Sequence, residues 1–102
     1  MTKAPWFAVC CLLRSEVAGK VDLYEESIRL VRAWSEEEAT AKAQELSRRD
    51  QVDYDNVYEE HVVWYFDKVT HVYEVGESVI KDGVEVFSRF LSPQEVQTRA
   101  KN

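Results

Sequence analysis

The chain has little of the residue types that most often carry chemistry. Its 102 residues include two cysteines, two histidines, two prolines and three glycines. The cysteines, Cys10 and Cys11, are neighbours in a run that reads as a strand. Successive strand residues point to opposite faces, so these thiols do not bridge each other, and there is no spaced cysteine framework. They read as small buried hydrophobes in a reducing compartment, so the expected location is cytoplasmic. Isolated glycines leave no phosphate-cradling loop and no dinucleotide fingerprint, and no serine nucleophile motif is present. His61 and His71 lie at separate points of one strand-like segment, on the order of 33 Å apart if it is straight. They cannot share a metal within one chain, and no metal ligand and no cofactor is assigned.

Positive charge is also short. The formal net charge is −6. Nucleic-acid affinity and attraction to anionic membranes both rest on clustered Lys and Arg, so neither partner is expected. Arg29, Arg32, Arg48 and Arg49 are interleaved with acids and form no basic stripe. No apolar run is long enough to span a bilayer. Residues 4–13 follow Lys3 in the manner of a signal peptide, but Arg14 and Glu16 break the run and no small-x-small cleavage pattern follows. The segment reads as a first strand.

The chain does have apolar material enough to fold, at 45% hydrophobic and 12% aromatic residues, and it reads as one domain over residues 1–102. Residues 24–46 carry most of the fold information. Residues 24–34 alternate as a strand. Ser35 then caps a helix, with Glu38 completing a capping box, acids in the first turn, and Arg48 and Arg49 near the end. Glu38 with Lys42 and Glu45 with Arg49 are supporting i, i+4 pairs. The buried stripe of this helix is Ala39, Ala43 and Leu46, narrow and made of small residues.

Residues 15–22 read as a hairpin connection between the first two strands. The long segment 61–75 changes parity midway, which a bulge near Asp67 and Lys68 explains. Asp82 and Gly83 read as a hairpin turn between Val79 and Ile80 on one side and a last strand, 84–90, on the other. Ser92, Pro93 and Glu95 cap a short C-terminal helix, with Val96 and Ala100 its only apolar residues. The expected fold is α+β: an antiparallel sheet of about four main strands in the order β-β-α-β-β, one helix packed on one face, and the short terminal helix.

The faces of that sheet carry the functional expectation. The face with Trp6, Ala8, Ile28, Leu30, Trp34, Val84, Val86 and Phe90 is expected to meet the helix. The opposite face, with Phe7, Val9, Cys11, Leu13, Val31, Ala33, Phe87 and some of Tyr65, Val69 and Tyr73, is then too apolar to be left in water. A second copy of the chain, another partner or a ligand has to cover it, and a homodimer is the commonest solution.

Tyr54 and Tyr58 stand beside the acids of residues 50–60, a composition suited to a basic protein partner. The acids there resemble a calcium loop only in composition, since the required glycine and terminal glutamate are missing from their offsets. Tyr65, Asp67, His71 and Tyr73 are the polar residues that would line a pocket on the aromatic sheet face. No convergence among them is visible in the sequence, and no catalytic residue is assigned.

Four pieces together suggest a family. They are WFAV at 6–9, EESI at 25–28, SEEEA at 35–39 and DGVEVFSR at 82–89. In these the chain resembles the bacterial family known as domain of unknown function 4288, over about residues 6–90. The resemblance implies a stand-alone bacterial cytoplasmic domain and supplies no activity.

The reading is therefore a small, acidic, non-catalytic interaction or binding module. It is expected to work as a homodimer or on a basic protein, with Tyr54, Tyr58, Tyr65, Asp67, His71 and Tyr73 as binding residues. The alternative is a small-ligand-binding protein or enzyme that uses the aromatic sheet face as a pocket.

Overall fold

The computed structural model describes residues 3–76 and 80–99. Strand β1 (Trp6–Val17) and strand β2 (Lys20–Arg32) form a long antiparallel hairpin, paired from Trp6 with Arg32 to Val17 with Lys20. Its turn is Ala18 and Gly19, both at positive φ (53° and 77°). Two such residues match the right-handed twist of the strands, but alanine there meets its own Cβ clash. Helix α1 (Glu36–Arg49) follows, then the short strand β3 (Asp53–Asp55), the long strand β4 (His61–Val75) and helix α2 (Pro93–Arg99). The sheet order is β2-β1-β4-β3, every pairing antiparallel, so β1 is central and β2 is an edge.

The architecture is the expected α+β class, but its fourth strand is a different segment. Residues 84–90 carry no ladder pairing among the described residues. Asp82 and Gly83 do turn the chain, with the Val84 amide donating to Lys81 at 3.1 Å. Val79, the expected start of that hairpin, lies outside the described residues, as does Ala100 of the terminal helix. The fourth place in the sheet goes to β3, which pairs with residues 61–63 of β4.

Ser35 and Ser92 cap their helices as the sequence implies, and the box is reciprocal in α2. Ser35 Oγ accepts from the Glu38 amide at 3.1 Å. In α2 the exchange runs both ways, with Glu95 N donating to Ser92 Oγ at 3.2 Å and Ser92 N to Glu95 Oε1 at 3.1 Å.

The parity change in β4 arises from two bulges. Opposite β1, the register slips once between Cys10 and Cys11 and again between Leu12 and Leu13, leaving Thr70 and Asp67 as the extra residues. Each slip turns the side-chain alternation over, so Val72, Val69 and Phe66, three apart, fall on one face. Thr70 Oγ1 donates to the Cys10 carbonyl at 3.3 Å, which ties the first bulge to β1.

The helix packs on the face opposite to the expected one. Phe7, Val9, Cys11, Leu13, Val31 and Ala33 form the core with Ala39 and Ala43 of α1. Trp64, Phe66, Val69 and Val72 of β4 pack against them. The Trp6, Ile28, Leu30 and Trp34 side is therefore the one away from the helix, and Ile28, Leu30 and Trp34 remain exposed. Hydrophobicity misled here because β1 is apolar on both faces and β2 is more apolar at even positions. The polar Arg29 of the helix face is accommodated at the rim: Nε donates to Ser47 Oγ at 3.2 Å and Nη2 to Asp50 Oδ2 at 2.6 Å. The third buried residue of α1 is Ser47, whereas Leu46 is partly exposed toward β2.

Candidate functional site: an open sheet edge and a roofed second face

The sheet face away from α1 is partly roofed by the segment after the Asp82 turn. Phe87 packs against His71 (centroids 5.8 Å, interplanar angle 83°) and Tyr73 (6.2 Å, 50°). Tyr73 Oη donates to Glu85 Oε1 at 2.5 Å, and this bond to a carboxylate is the main reason its phenol titrates above the usual range. Beneath the segment is a cleft of about 250 Å³ that brings together Cys10, Glu26, His71, Phe87 and Arg89. Cys10 and His71 are directly opposed across β1 and β4. Burial above all, then Cys11 and Glu26, push the Cys10 thiol up, with Arg89 opposing. A thiol held protonated is a poor resting nucleophile.

Tyr65 and Asp67 belong to a second cluster, around Arg14. The Arg14 Nε meets Glu16 Oε2 at 2.9 Å, Nη1 meets Asp67 Oδ1 at 3.2 Å, and the guanidinium lies 5.1 Å from the Tyr65 ring centroid. Asp67 is the bulge residue, so the bulge is what aims its carboxylate at Arg14. Arg14 and Tyr65 are cross-strand partners.

Tyr54 and Tyr58 sit elsewhere. Tyr54 is in β3 and accepts from Trp64 Nε1 at 3.2 Å. Tyr58 is exposed in the turn after β3, where the Asn56 side chain accepts from the amides of Tyr58 (2.9 Å) and Glu60 (3.0 Å). Nearby, His61 is held between Asp53 (Nε2 to Oδ2, 3.1 Å) and Asp55 (Nδ1 to Oδ1, 3.1 Å). The hydrogen bond to Asp55 is the first cause of a raised His61 pKa, with the charges of both acids adding. Thus the six residues singled out from the sequence fall into separate groups: His71 with Tyr73, Tyr65 with Asp67, and Tyr54 and Tyr58 around β3. Among the described residues no group of His, Cys, Asp or Glu is arranged to hold a metal ion, and no helix is long and apolar enough to cross a membrane.

The edges of the sheet hold what residue type alone did not suggest. Ala33 N donates to the Pro5 carbonyl at 3.1 Å, so odd residues of β2 direct their backbone groups toward β1. Residues 24, 26, 28 and 30 therefore direct theirs outward, to an edge that has no strand beside it among the described residues. The same parity explains why Lys42 Nζ reaches the outward Arg32 carbonyl, at 2.6 Å. Along this edge Leu23, Tyr24, Ile28 and Leu30 are exposed at 59%, 59%, 52% and 40%. Beside it, between β2 and α1, is a groove of about 390 Å³ with Leu30, Val31 and Leu46 in its wall. The other open edge is that of β4 beyond β3, facing a wide groove of about 910 Å³ under α1 with Glu36, Glu37, Arg48 and Lys68 at its rim. That edge carries both bulges; β2 has no register shift over residues 23–32.

No curated protein and no solved structure matches the chain. A family model, described as domain of unknown function (DUF4288), matches residues 6–88, which takes in the hairpin, α1, β3, β4 and the roofing segment through Phe87, and the chain belongs to that family.

Proposed function

We propose that this chain is a non-catalytic interaction module that works as a homodimer. The observation that carries the reading is the open β2 edge, with outward backbone groups and the exposed side chains Leu23, Tyr24, Ile28 and Leu30 beside them. An unpaired strand edge is a template for pairing, and natural proteins shield it by bulges, short strands, charged side chains or a cover. Over residues 23–31 β2 has no bulge and, among the described residues, no strand beside it, so a pairing partner would satisfy its outward backbone groups. Symmetric pairing of two copies uses the same surface twice and closes the assembly. A basic protein is the second partner class, and the acidic turn region with Tyr54 and Tyr58 is the surface that suits it. Light scattering behind a sizing column across a wide concentration range tests the reading. The weight-average mass should rise from 11.9 kDa toward twice that value. A constant monomer mass refutes self-association.

A specific observation supports the alternative of a small-ligand binder: the 250 Å³ cleft joining Cys10, His71, Glu26 and Arg89. Its mixed charges and roof of Phe87 suit a small polar molecule held without covalent chemistry. A thermal-shift screen of small metabolites tests this reading, and Arg89→Ala should abolish any stabilisation found.

A further inference from the structure

We infer that two copies join edge to edge through β2, antiparallel, about a two-fold axis at Ser27. The inference rests on the self-association reading above and specifies its surface and register.

Three independent features meet in this register. The first is the hydrogen-bonding phase. Even residues of β2 point outward, so an antiparallel partner must set even residues opposite even residues. Centring on Ser27 does so: Glu26 faces the partner's Ile28, and Tyr24 faces the partner's Leu30. Both are pairs that can exchange two backbone hydrogen bonds.

The second is charge. Opposed residues in this register include Glu25 with the partner's Arg29, and symmetry supplies the pair twice. Arg29 already uses Nε for Ser47 and Nη2 for Asp50. A guanidinium has five N–H donors, so Nη1 is available for the partner's carboxylate. The neighbouring registers with the correct phase lose this match. Centring on Glu26 sets Glu26 against the partner's Glu26, and like charges directly opposite are destabilising. Centring on Ile28 sets Glu25 against the partner's Val31.

The third is shape. In the Ser27 register the partner's Leu23 lies opposite Val31, on the face toward α1. That is where the 390 Å³ groove lies, with Val31 and Leu46 in its wall. An exposed leucine on one copy thus falls at the Val31 and Leu46 wall of the other copy's groove, whose rim carries Lys42, Glu45 and Arg49, and the exchange is reciprocal. Tyr24 and the partner's Leu30 meet on the other face, where each is exposed in the single chain at 59% and 40%. The product is one continuous sheet through both copies, which pairs the β2 edge over residues 23–31.

Cysteine cross-linking reads the axis. Ser27 would face its own copy in a non-hydrogen-bonded pair, with Cα atoms about 4.5 Å apart, within the range a disulfide accepts. The single variants Glu26→Cys, Ser27→Cys and Ile28→Cys are compared under mild oxidation in a Cys10→Ala, Cys11→Ala background. That background removes the native thiols opposite Ile28 and Ser27. Ser27→Cys should give covalent dimer about ten-fold faster than the other two. Faster cross-linking at position 26 or 28, or equal rates at all three, overturns the register.

If light scattering finds a dimer yet none of the three variants cross-links, the edge inference fails while the self-association reading stands. If the protein is monomeric at every concentration, both fail. Should the double-alanine background not fold, Glu25→Arg in the native chain replaces it. Glu25 is exposed, so the monomer should be undisturbed, while dimerisation should weaken about ten-fold or more through repulsion from the partner's Arg29. Unchanged dimerisation of Glu25→Arg overturns the proposal.

Discussion

Truncating Phe7 to alanine, set against truncating Ile28 to alanine, tests which face of the sheet belongs to the helix. Phe7 is 2% exposed and sits in one core cluster with Val9, Cys11, Ala39 and Ala43. Because the alanines of α1 hold the helix close to the sheet, little can collapse into the space left by the ring. The cost should be about 3–5 kcal/mol, the range for a phenylalanine removed from a packed core. A domain of this size is stable by about 5–15 kcal/mol in total, so the loss is a large part of it and lowers Tm by roughly 15–30 °C. Ile28 is 52% exposed, so only part of the roughly 1.5–3 kcal/mol of full side-chain burial is at stake. Its truncation should cost about 1 kcal/mol or less. Urea denaturation followed by circular dichroism supplies both numbers. It should be run at low protein concentration, because Ile28 lies in the proposed interface. Equal losses, or a larger loss for Ile28→Ala, would mean that α1 packs on the Trp6 face and that the account of the core is wrong.

The remaining predictions concern the hairpin turn and His61. Ala18 holds a left-handed φ of 53° before Gly19, so Ala18→Asn creates the preferred Asn-Gly turn. It should stabilise the domain by about 0.5–1 kcal/mol, read as a higher urea midpoint at unchanged slope. His61 should titrate above 6.5 by NMR, and Asp55→Asn should lower its midpoint more than Asp53→Asn does, because the Asp55 hydrogen bond is the larger cause. Its folded pKa is raised, so its contribution to holding β3 on β4 is fully present below the unfolded value. That contribution is lost as pH rises through the folded pKa. Amide exchange in β3 should accordingly quicken across that interval, and a pH-independent rate after correction for intrinsic exchange would contradict this.

Local rules made much of the fold legible. Ser35 with Glu38, and Ser92 with Glu95, are short-range hydrogen-bonding patterns, and they form where the sequence places them. The broken alternation of 61–75 correctly signalled a bulge at Asp67. A second, at Thr70, restored parity three residues on and was hidden in the same irregularity. Tertiary choices were not legible. β1 offers two apolar faces, and the decision between them lies in how small Ala39 and Ala43 are and in the reach of Arg29 to Ser47 and Asp50, not in hydrophobic periodicity. Residues 84–90 alternate like a strand but have no ladder partner among the described residues and instead lie over His71 and Tyr73 through Phe87. The same gap affects the site. Tyr54, Tyr58, Tyr65, Asp67, His71 and Tyr73 stand out in the sequence by residue type alone, and the fold distributes them. Cys10, Glu26 and Arg89 come together only through strand pairing and the return of the chain. The open edge of β2 depends on strand order, which a single sequence does not carry.

Amide hydrogen exchange resolved along β2, as a function of protein concentration, tests the central claim most directly. The amides of Glu26, Ile28 and Leu30 point away from β1, whereas those of Ser27, Arg29 and Val31 point toward it. In a dilute sample the outward set should exchange fast and the inward set slowly. As concentration rises through the association range, the outward set should gain protection while the inward set changes little. Outward amides that stay fast in a sample shown to be dimeric, or that are already protected in the monomer, would contradict pairing through this edge.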